Sequence, residues 1–162
     1  RIEQLEVEQV VTLCTEASRS DNMLDVGTGS GLFAQAFAAR EIQVIGIDPD
    51  PDMIAAARFY ASELVFSVGR AEALPFADRC FDALFMGMVL HETDDALLAL
   101  REARRVAKKS LAILEWPHPN PEDPPPPARR FTRRQIGSMS RAAGFSTCTI
   151  IELRHMILYL LQ

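Results

Sequence analysis

The segment Met23-Leu24-Asp25-Val26-Gly27-Thr28-Gly29-Ser30-Gly31-Leu32-Phe33 restricts the folds open to this chain more than any other. An apolar run ends in three glycines at alternate positions. An alanine-rich stretch at helical spacing follows, with Ala34, Ala36, Ala38 and Ala39. The pattern predicts a strand, a tight turn and a helix. Glycine serves such a turn in two ways: a sharp reversal wants positive φ, and the missing Cβ lets a ligand approach the main chain. The helix that starts there offers unpaired N–H groups and a partial positive charge. Such a turn also packs a helix on a sheet with no ligand at all, so the segments that follow decide its use.

The rest of the composition bounds the answer. With 162 residues, 48% of them hydrophobic, the chain has enough material for one domain, 1–162, with a substantial core. No apolar run reaches the ~18 residues of a membrane span, and no signal-peptide pattern is visible; the chain begins at Arg1, which leaves open residues upstream. Cys14, Cys80 and Cys148 are far apart and odd in number, with no C-x-x-C. They read as buried free thiols in a reducing cytoplasm, not as a disulfide framework or zinc site, and no metal is expected. Charge is uneven: residues 1–95 carry a net −11 and residues 96–162 a net +6, for −5 overall. Such a balance makes nucleic acid an unexpected partner.

Taken in order, residues 2–18 place Ile2, Leu5, Val10, Leu13, Cys14 and Ala17 at helical spacing, an amphipathic helix for one face of a sheet. Residues 1–20 form this N-terminal piece. A β-branched run, Ile42–Ile47, ends in Asp48, which lies 21 residues after Gly27. A carboxylate at the end of a second strand can accept from both ribose hydroxyls, and the spacing suits a dinucleotide and an adenosyl ligand equally. Pro49 and Pro51 with Asp50 and Asp52 then open a helix, and Met53 or Ile54 is available to pack on a base. Leu64–Val68, Cys80–Met88 and Ser110–Glu115 read as further strands. Thr93 or Asp94 is expected to cap the helix between the last two, with Arg101, Arg104, Arg105, Lys108 and Lys109 at its negative end. Seven of the ten prolines lie in Trp116–Pro127, so residues 116–131 are expected to be a stiff loop on the substrate side. A helix running to Ala143, with Gly144 after it, and two strands, Phe145–Leu153 and His155–Leu161, complete the chain.

Three segments carry a resemblance. Asp25-Val26-Gly27-Thr28-Gly29-Ser30-Gly31 resembles motif I of the class I S-adenosylmethionine-dependent methyltransferases; the spacing is G-x-G-x-G, not the G-x-G-x-x-G of dinucleotide sites. Val68-Gly69-Arg70-Ala71-Glu72-Ala73-Leu74-Pro75-Phe76 resembles that family's G-D-A-E-x-L-P-F loop, with Arg70 where the family has an acid. Met86-Gly87-Met88-Val89-Leu90-His91-Glu92 resembles the loop beside the methionine end of the cofactor, and Asp82 the acid of the F-D motif. The likeness covers roughly residues 20–155 and is nearest to the small "type 11" methyltransferases.

The resemblance implies an α/β fold: a Rossmann-like, seven-stranded, mostly parallel sheet with an antiparallel C-terminal hairpin and helices on both faces. It implies S-adenosylmethionine as cofactor and S-adenosylhomocysteine as product. The implied cofactor residues are Asp25, Gly27, Thr28, Gly29, Gly31, Asp48, Pro49, Met53, Arg70, Ala71, Glu72, Gly87 and Met88. Arginine cannot accept a hydrogen bond, so at Arg70 the adenine amino group needs another acceptor, such as Glu72 or a backbone carbonyl. His91 is the candidate general base. The expected reaction is in-line methyl transfer to a small-molecule or lipid-like acceptor. An anionic acceptor would suit the cluster Arg129, Arg130, Arg133 and Arg134, and a homodimer could cover a site with so few residues to close it. A non-catalytic S-adenosylmethionine-binding module is the alternative, and a nicotinamide-dependent oxidoreductase the third reading.

Overall fold

The computed structural model describes residues 6–118 and 126–162. Seven strands form one sheet in the order β3-β2-β1-β4-β5-β7-β6. They are β1 (Asn22–Val26), β2 (Gln43–Asp48), β3 (Val65–Val68), β4 (Phe81–Gly87), β5 (Ala107–Glu115), β6 (Cys148–Glu152) and β7 (Ile157–Leu161). β1 to β5 pair in parallel, and β7 runs antiparallel to both β5 and β6. The α/β fold, with its antiparallel C-terminal hairpin, is the one expected from the residue pattern.

Alternation along the strands builds two cores, one on each face. Met23, Ala83, Phe85, Ala112, Leu114 and Leu158 point to one of them, where they meet Val10 and Cys14 of α1 (Val7–Ser18), Phe33 and Phe37 of α2 (Leu32–Ala38), and Ile54 and Ala57 of α3 (Pro51–Tyr60). Leu24, Val26, Leu84, Met86, Leu111, Ile113 and Tyr159 point the other way. There they meet Ala99, Leu100 and Ala103 of α4 (Ala96–Val106) and Ile136 of α5 (Arg133–Ala142). Three helices thus cover one face and two the other. Between β3 and β4 there is no helix; residues 69–80 run as a series of turns with Ala71 and Leu74 buried in the second core. Arg105 of α4 holds that segment. It forms a two-bond fork with Glu102 (2.8 and 2.9 Å) and donates to the carbonyls of Leu74 (3.0 Å) and Phe76 (2.8 Å) and to Asp78 (2.8 Å). Glu102 in turn accepts the Leu74 N–H at 2.9 Å. The Arg105 guanidinium, aided by the Leu74 N–H, holds the Glu102 carboxyl below the usual carboxylate range.

Several boundaries differ from expectation for physical reasons. Asp95, not Thr93 or Asp94, caps α4, accepting the Leu98 N–H at 2.9 Å. Thr93 donates its hydroxyl to the Leu90 carbonyl and Asp94 pairs with Arg70, so both are engaged elsewhere. Lys108 and Lys109 do not sit at the helix end. α4 stops at Val106, and both lysines lie in β5 and reach Asp82 at 3.4 and 3.9 Å. Asp82 also accepts the Asp21 N–H, tying the entry of β1 to that of β4. α1 is described from Val7, and Glu6 just before it accepts the N–H groups of Arg154 and His155, both at 3.0 Å, anchoring the β6–β7 turn. A capping box between Thr132 and Gln135 starts α5. Most of the proline-rich loop, residues 119–125, lies outside the described residues.

The first core centres on three aromatic rings, with Phe85 4.7 Å from Phe33 and 5.2 Å from Phe37 between centroids. Phe85 is fully buried at the middle of the sheet. Phe85→Ala is expected to lower the unfolding free energy by about 3–5 kcal/mol in urea denaturation.

Candidate active site

The carboxyl ends of β1, β2, β3, β4 and β5 share one rim, because all five strands run in parallel. In open α/β sheets ligands collect at that rim. At the end of β1 the chain turns through Gly27, Gly29 and Gly31 with φ of +70°, +54° and +86°. A Cβ on Gly27 would lie 2.2 Å from Val89, so the turn abuts the loop after β4. A Cβ on Gly29 would meet nothing within 4 Å; that position opens on free space.

Asp48 holds this turn. Its Oδ2 accepts the Gly29 N–H at 2.9 Å, and its Oδ1 accepts the Asp50 N–H at 2.9 Å. The Thr28 N–H donates to the Ile47 carbonyl at 2.8 Å, and the Gly69 N–H to the Asp48 carbonyl at 3.0 Å. The carboxylate is therefore fixed from two sides while facing the rim. Beneath the turn, Asp25 is buried and accepts the Thr28 hydroxyl at 2.6 Å. Burial pushes its carboxyl up to about 7. The Thr28 hydrogen bond opposes that shift and the Asp48 charge adds to it.

A cavity of about 650 Å³ lies along the rim. Of the residues expected at a cofactor, Gly27, Gly29, Asp48, Pro49, Met53, Arg70, Ala71, Glu72, Gly87 and Met88 line it, and so does His91. Asp25, Thr28 and Gly31 do not; they sit behind the turn, where Asp25 and Thr28 bond each other. Ile54 is buried in the core, which leaves Met53 as the residue of that pair on the cavity. Arg70 points to Asp94, to which its guanidinium donates, and lies 3.7 Å from Glu72. Glu72 accepts the Asp94 N–H at 2.8 Å. The three side chains thus link the loop after β3 to the loop after β4 across the cavity mouth.

His91 sits on a short 3-10 turn, Leu90–Glu92. Its Nδ1 is 2.7 Å from Glu115 Oε2, and its backbone N–H donates to Glu115 Oε1 at 3.2 Å. Both side chains are 6% exposed. Glu115 ends β5, and Trp116 beside it lines the cavity. Residues 116–131 were expected on the substrate side, which suits Trp116 here, whereas Glu115 was read only as the end of a strand. The signal was there: β4 and β5 pair in parallel with Gly87 opposite Leu114, so an acid just after Leu114 must lie near the residues that follow Gly87.

The arginine cluster is not part of the cavity. Arg130 is buried and donates to the Pro117 carbonyl at 3.0 Å, and Arg133 pairs with Glu152 at 2.6 Å. The cavity's charged lining is mainly acidic, with Asp48, Asp50, Glu72 and Glu92. His118 and His155 are exposed and away from it. Cys14, Cys80 and Cys148 are free thiols, and burial pushes that of Cys14 up to about 12. Among the described residues no three His, Cys, Asp or Glu side chains are grouped to hold a metal ion, and no helix is long and apolar enough to cross a membrane.

Comparison with known proteins agrees with this geometry. Residues 24–113 match the profile of the family described as "Methyltransferase domain". The chain is 35% identical over 114 residues to the uncharacterized methyltransferase YcgJ of Bacillus subtilis, covering 67% of this chain and 45% of that protein. It is 34% identical over 128 residues to the demethylmenaquinone methyltransferase of Thermotoga maritima, covering 76% of this chain and 52% of that one. The chain thus spans about half the length of these curated relatives. In fold it is similar to a SAM-dependent methyltransferase from Aquifex aeolicus, with a TM-score of 0.85 at 24% identity over 99% of this chain and 93% of that one. The chain belongs to the methyltransferase-domain family. S-adenosylmethionine is the cofactor that this membership implies.

The raised Asp25 carboxyl has a measurable consequence. Between its ordinary value of 3.8 and about 7, the folded chain keeps a proton there that the unfolded chain releases. The stabilisation is complete below the lower value and is lost as pH rises through the upper one. Asp25→Asn should therefore flatten the fall in melting temperature between those two pH values, as followed by circular dichroism at a series of pH values.

Proposed function

We propose that this chain is the catalytic domain of an S-adenosylmethionine-dependent methyltransferase acting on a small-molecule acceptor. The observation that carries the reading is Asp48. Its carboxylate is held by two backbone N–H groups at the cavity edge, and each oxygen keeps a lone pair free for the vicinal hydroxyls of a ribose. The rest of the cavity fits the same ligand. Gly29 leaves room for a group against the main chain, Met53 and Ala71 offer apolar contact to a base, and the acidic lining suits a cationic ligand.

When bound, the cofactor supplies a methyl group activated on a sulfonium centre. The protein's share is alignment and exclusion of water. Asp48 fixes the ribose. Gly27 and Gly29 admit the chain that leads to the sulfur, and Gly87 and Met88 border its far end. The Ala71 N–H addresses the base, while Glu72 is committed to Asp94 and Arg70, so the base's amino group meets a backbone carbonyl instead. His91 and Trp116 stand where an acceptor enters. None of the four clustered arginines lines the cavity, and Arg130 and Arg133 are engaged elsewhere, which supports a neutral acceptor.

The absence of a usable acceptor on Arg70 keeps a second reading in play, that of a module that binds the cofactor without turnover. Calorimetric titration with S-adenosylhomocysteine and with reduced nicotinamide dinucleotide tests the first point. Binding of the former alone is expected, and Asp48→Ala should weaken it roughly tenfold to a hundredfold, the loss of one or two charge-assisted hydrogen bonds. Comparable affinity for the nicotinamide compound would overturn the assignment. Transfer of labelled methyl to any member of a neutral acceptor panel would exclude the binding-only module.

A further inference from the structure

The cavity has two ends of different chemistry. One holds Asp48 and the glycine turn. The other holds His91 and Trp116, with Glu115 behind His91, and nothing in the cofactor assignment uses that group. Glu115 directs both of its oxygens at one residue, Oε2 at His91 Nδ1 and Oε1 at the His91 backbone N–H. A carboxylate is acceptor-only, so Nδ1 donates and the lone pair of the neutral ring lies on Nε2. Among the described residues Nε2 has no hydrogen-bond partner, and the nearest carboxylate oxygen, Glu92 Oε1, is 3.8 Å away. The ring is therefore held in one tautomer and one orientation, with its basic nitrogen unspent. Glu115 does not touch the cavity; it acts through His91.

We infer that this end of the cavity takes acceptors bearing a weakly acidic hydroxyl on a planar ring, a phenol or enol, with His91 as the base and Glu115 as its positioning residue. The inference rests on the methyltransferase reading. Trp116 supplies a flat, largely buried aromatic wall beside the base. A neutral hydroxyl enters such a site at less desolvation cost than an ammonium or a carboxylate. Of the acids nearby, Glu115 is committed to His91 and Glu72 to Asp94 and Arg70, while Glu92, largely exposed and 3.8 Å from Nε2, is placed to pair with an imidazolium there. In the proton step the acceptor's O–H bond breaks, a bond from the proton to Nε2 forms, and the electron pair stays on the acceptor oxygen. The imidazolium so formed faces Glu115 across the 2.7 Å contact and returns its proton to solvent after turnover.

Trp116 is the chain's single tryptophan, so fluorescence reads this end of the cavity alone. The probe is 3-nitrophenol at neutral pH, where it is mostly un-ionised in water and its anion has a separate visible band. The protein is first saturated with S-adenosylhomocysteine, whose own binding is measured by calorimetry. Failure of that binding would count against the methyltransferase reading and not against the acceptor assignment. With the wild type, the probe should quench Trp116 and the bound probe should show the phenolate band. His91→Gln should keep the quenching and lose the band. Glu115→Gln should keep affinity within a few-fold while the bound phenolate fraction falls about tenfold, as expected for one charge-assisted hydrogen bond. Benzoate should quench about tenfold more weakly than the phenol. A bound probe that stays neutral in the wild type, no quenching at all, or benzoate binding as well as the phenol would overturn the acceptor class. An undiminished band in Glu115→Gln would overturn the role of Glu115.

Discussion

The rim of this sheet depends on one aspartate. Asp48 ends β2, and from there its two carboxylate oxygens hold the turn after β1 and the start of α3, while its carbonyl holds the loop after β3. Three connections that are far apart in the chain are thereby fixed to a single residue. Carboxylate bonds to backbone N–H groups are among the stronger hydrogen bonds available, and here they are short and partly shielded. The glycine turn could close in many ways if left to itself. With Gly29 bound to Asp48 it closes in one, and the cavity has a defined floor.

Two carboxylates lie near each other there, and the fold treats them differently. Asp48 faces the rim and is met by N–H donors. Asp25 lies behind the turn, fully enclosed, with the Thr28 hydroxyl and the neighbouring negative charge, and its proton is held to about neutral pH. Keeping one of the pair neutral lets both sit under a positively polarised glycine turn without mutual repulsion. The open carboxylate then addresses a ligand, while the buried one serves the turn.

Much of this was readable from residue order. The glycine spacing and the β-branched run before Asp48 set the first half of the sheet, and the unbroken apolar runs at Met23/Leu24 and Leu84/Phe85 suit strands buried on both faces. What the order of residues hides is competition between equivalent candidates. Thr93, Asp94 and Asp95 are all good helix caps; Asp95 caps because Asp94 is drawn to Arg70 and Thr93 to Leu90. The arginines at 129–134 look like one cluster, yet a 3-10 turn and a helix start separate them, and partners on other elements take up Arg130 and Arg133. Glu115 was missed because its meaning lies in the pairing of β4 with β5, which brings it to a histidine 24 residues earlier.

The turn-rich segment between β3 and β4 has no helix of its own, and Arg105 and Glu102 of α4 hold it. A helix keeps itself through a ladder of backbone bonds that cooperate along its length. This segment is kept by bonds from Arg105, itself about one-third exposed to solvent, and from Glu102, together with the burial of Ala71 and Leu74. Its persistence is therefore tied in part to ionic strength and to those two side chains, and less to local chain cooperativity. The segment carries Arg70, Ala71 and Glu72 into the mouth of the cavity. The molecule thus places at its site a unit of structure that holds its shape through bonds borrowed from a neighbouring helix instead of a ladder of its own.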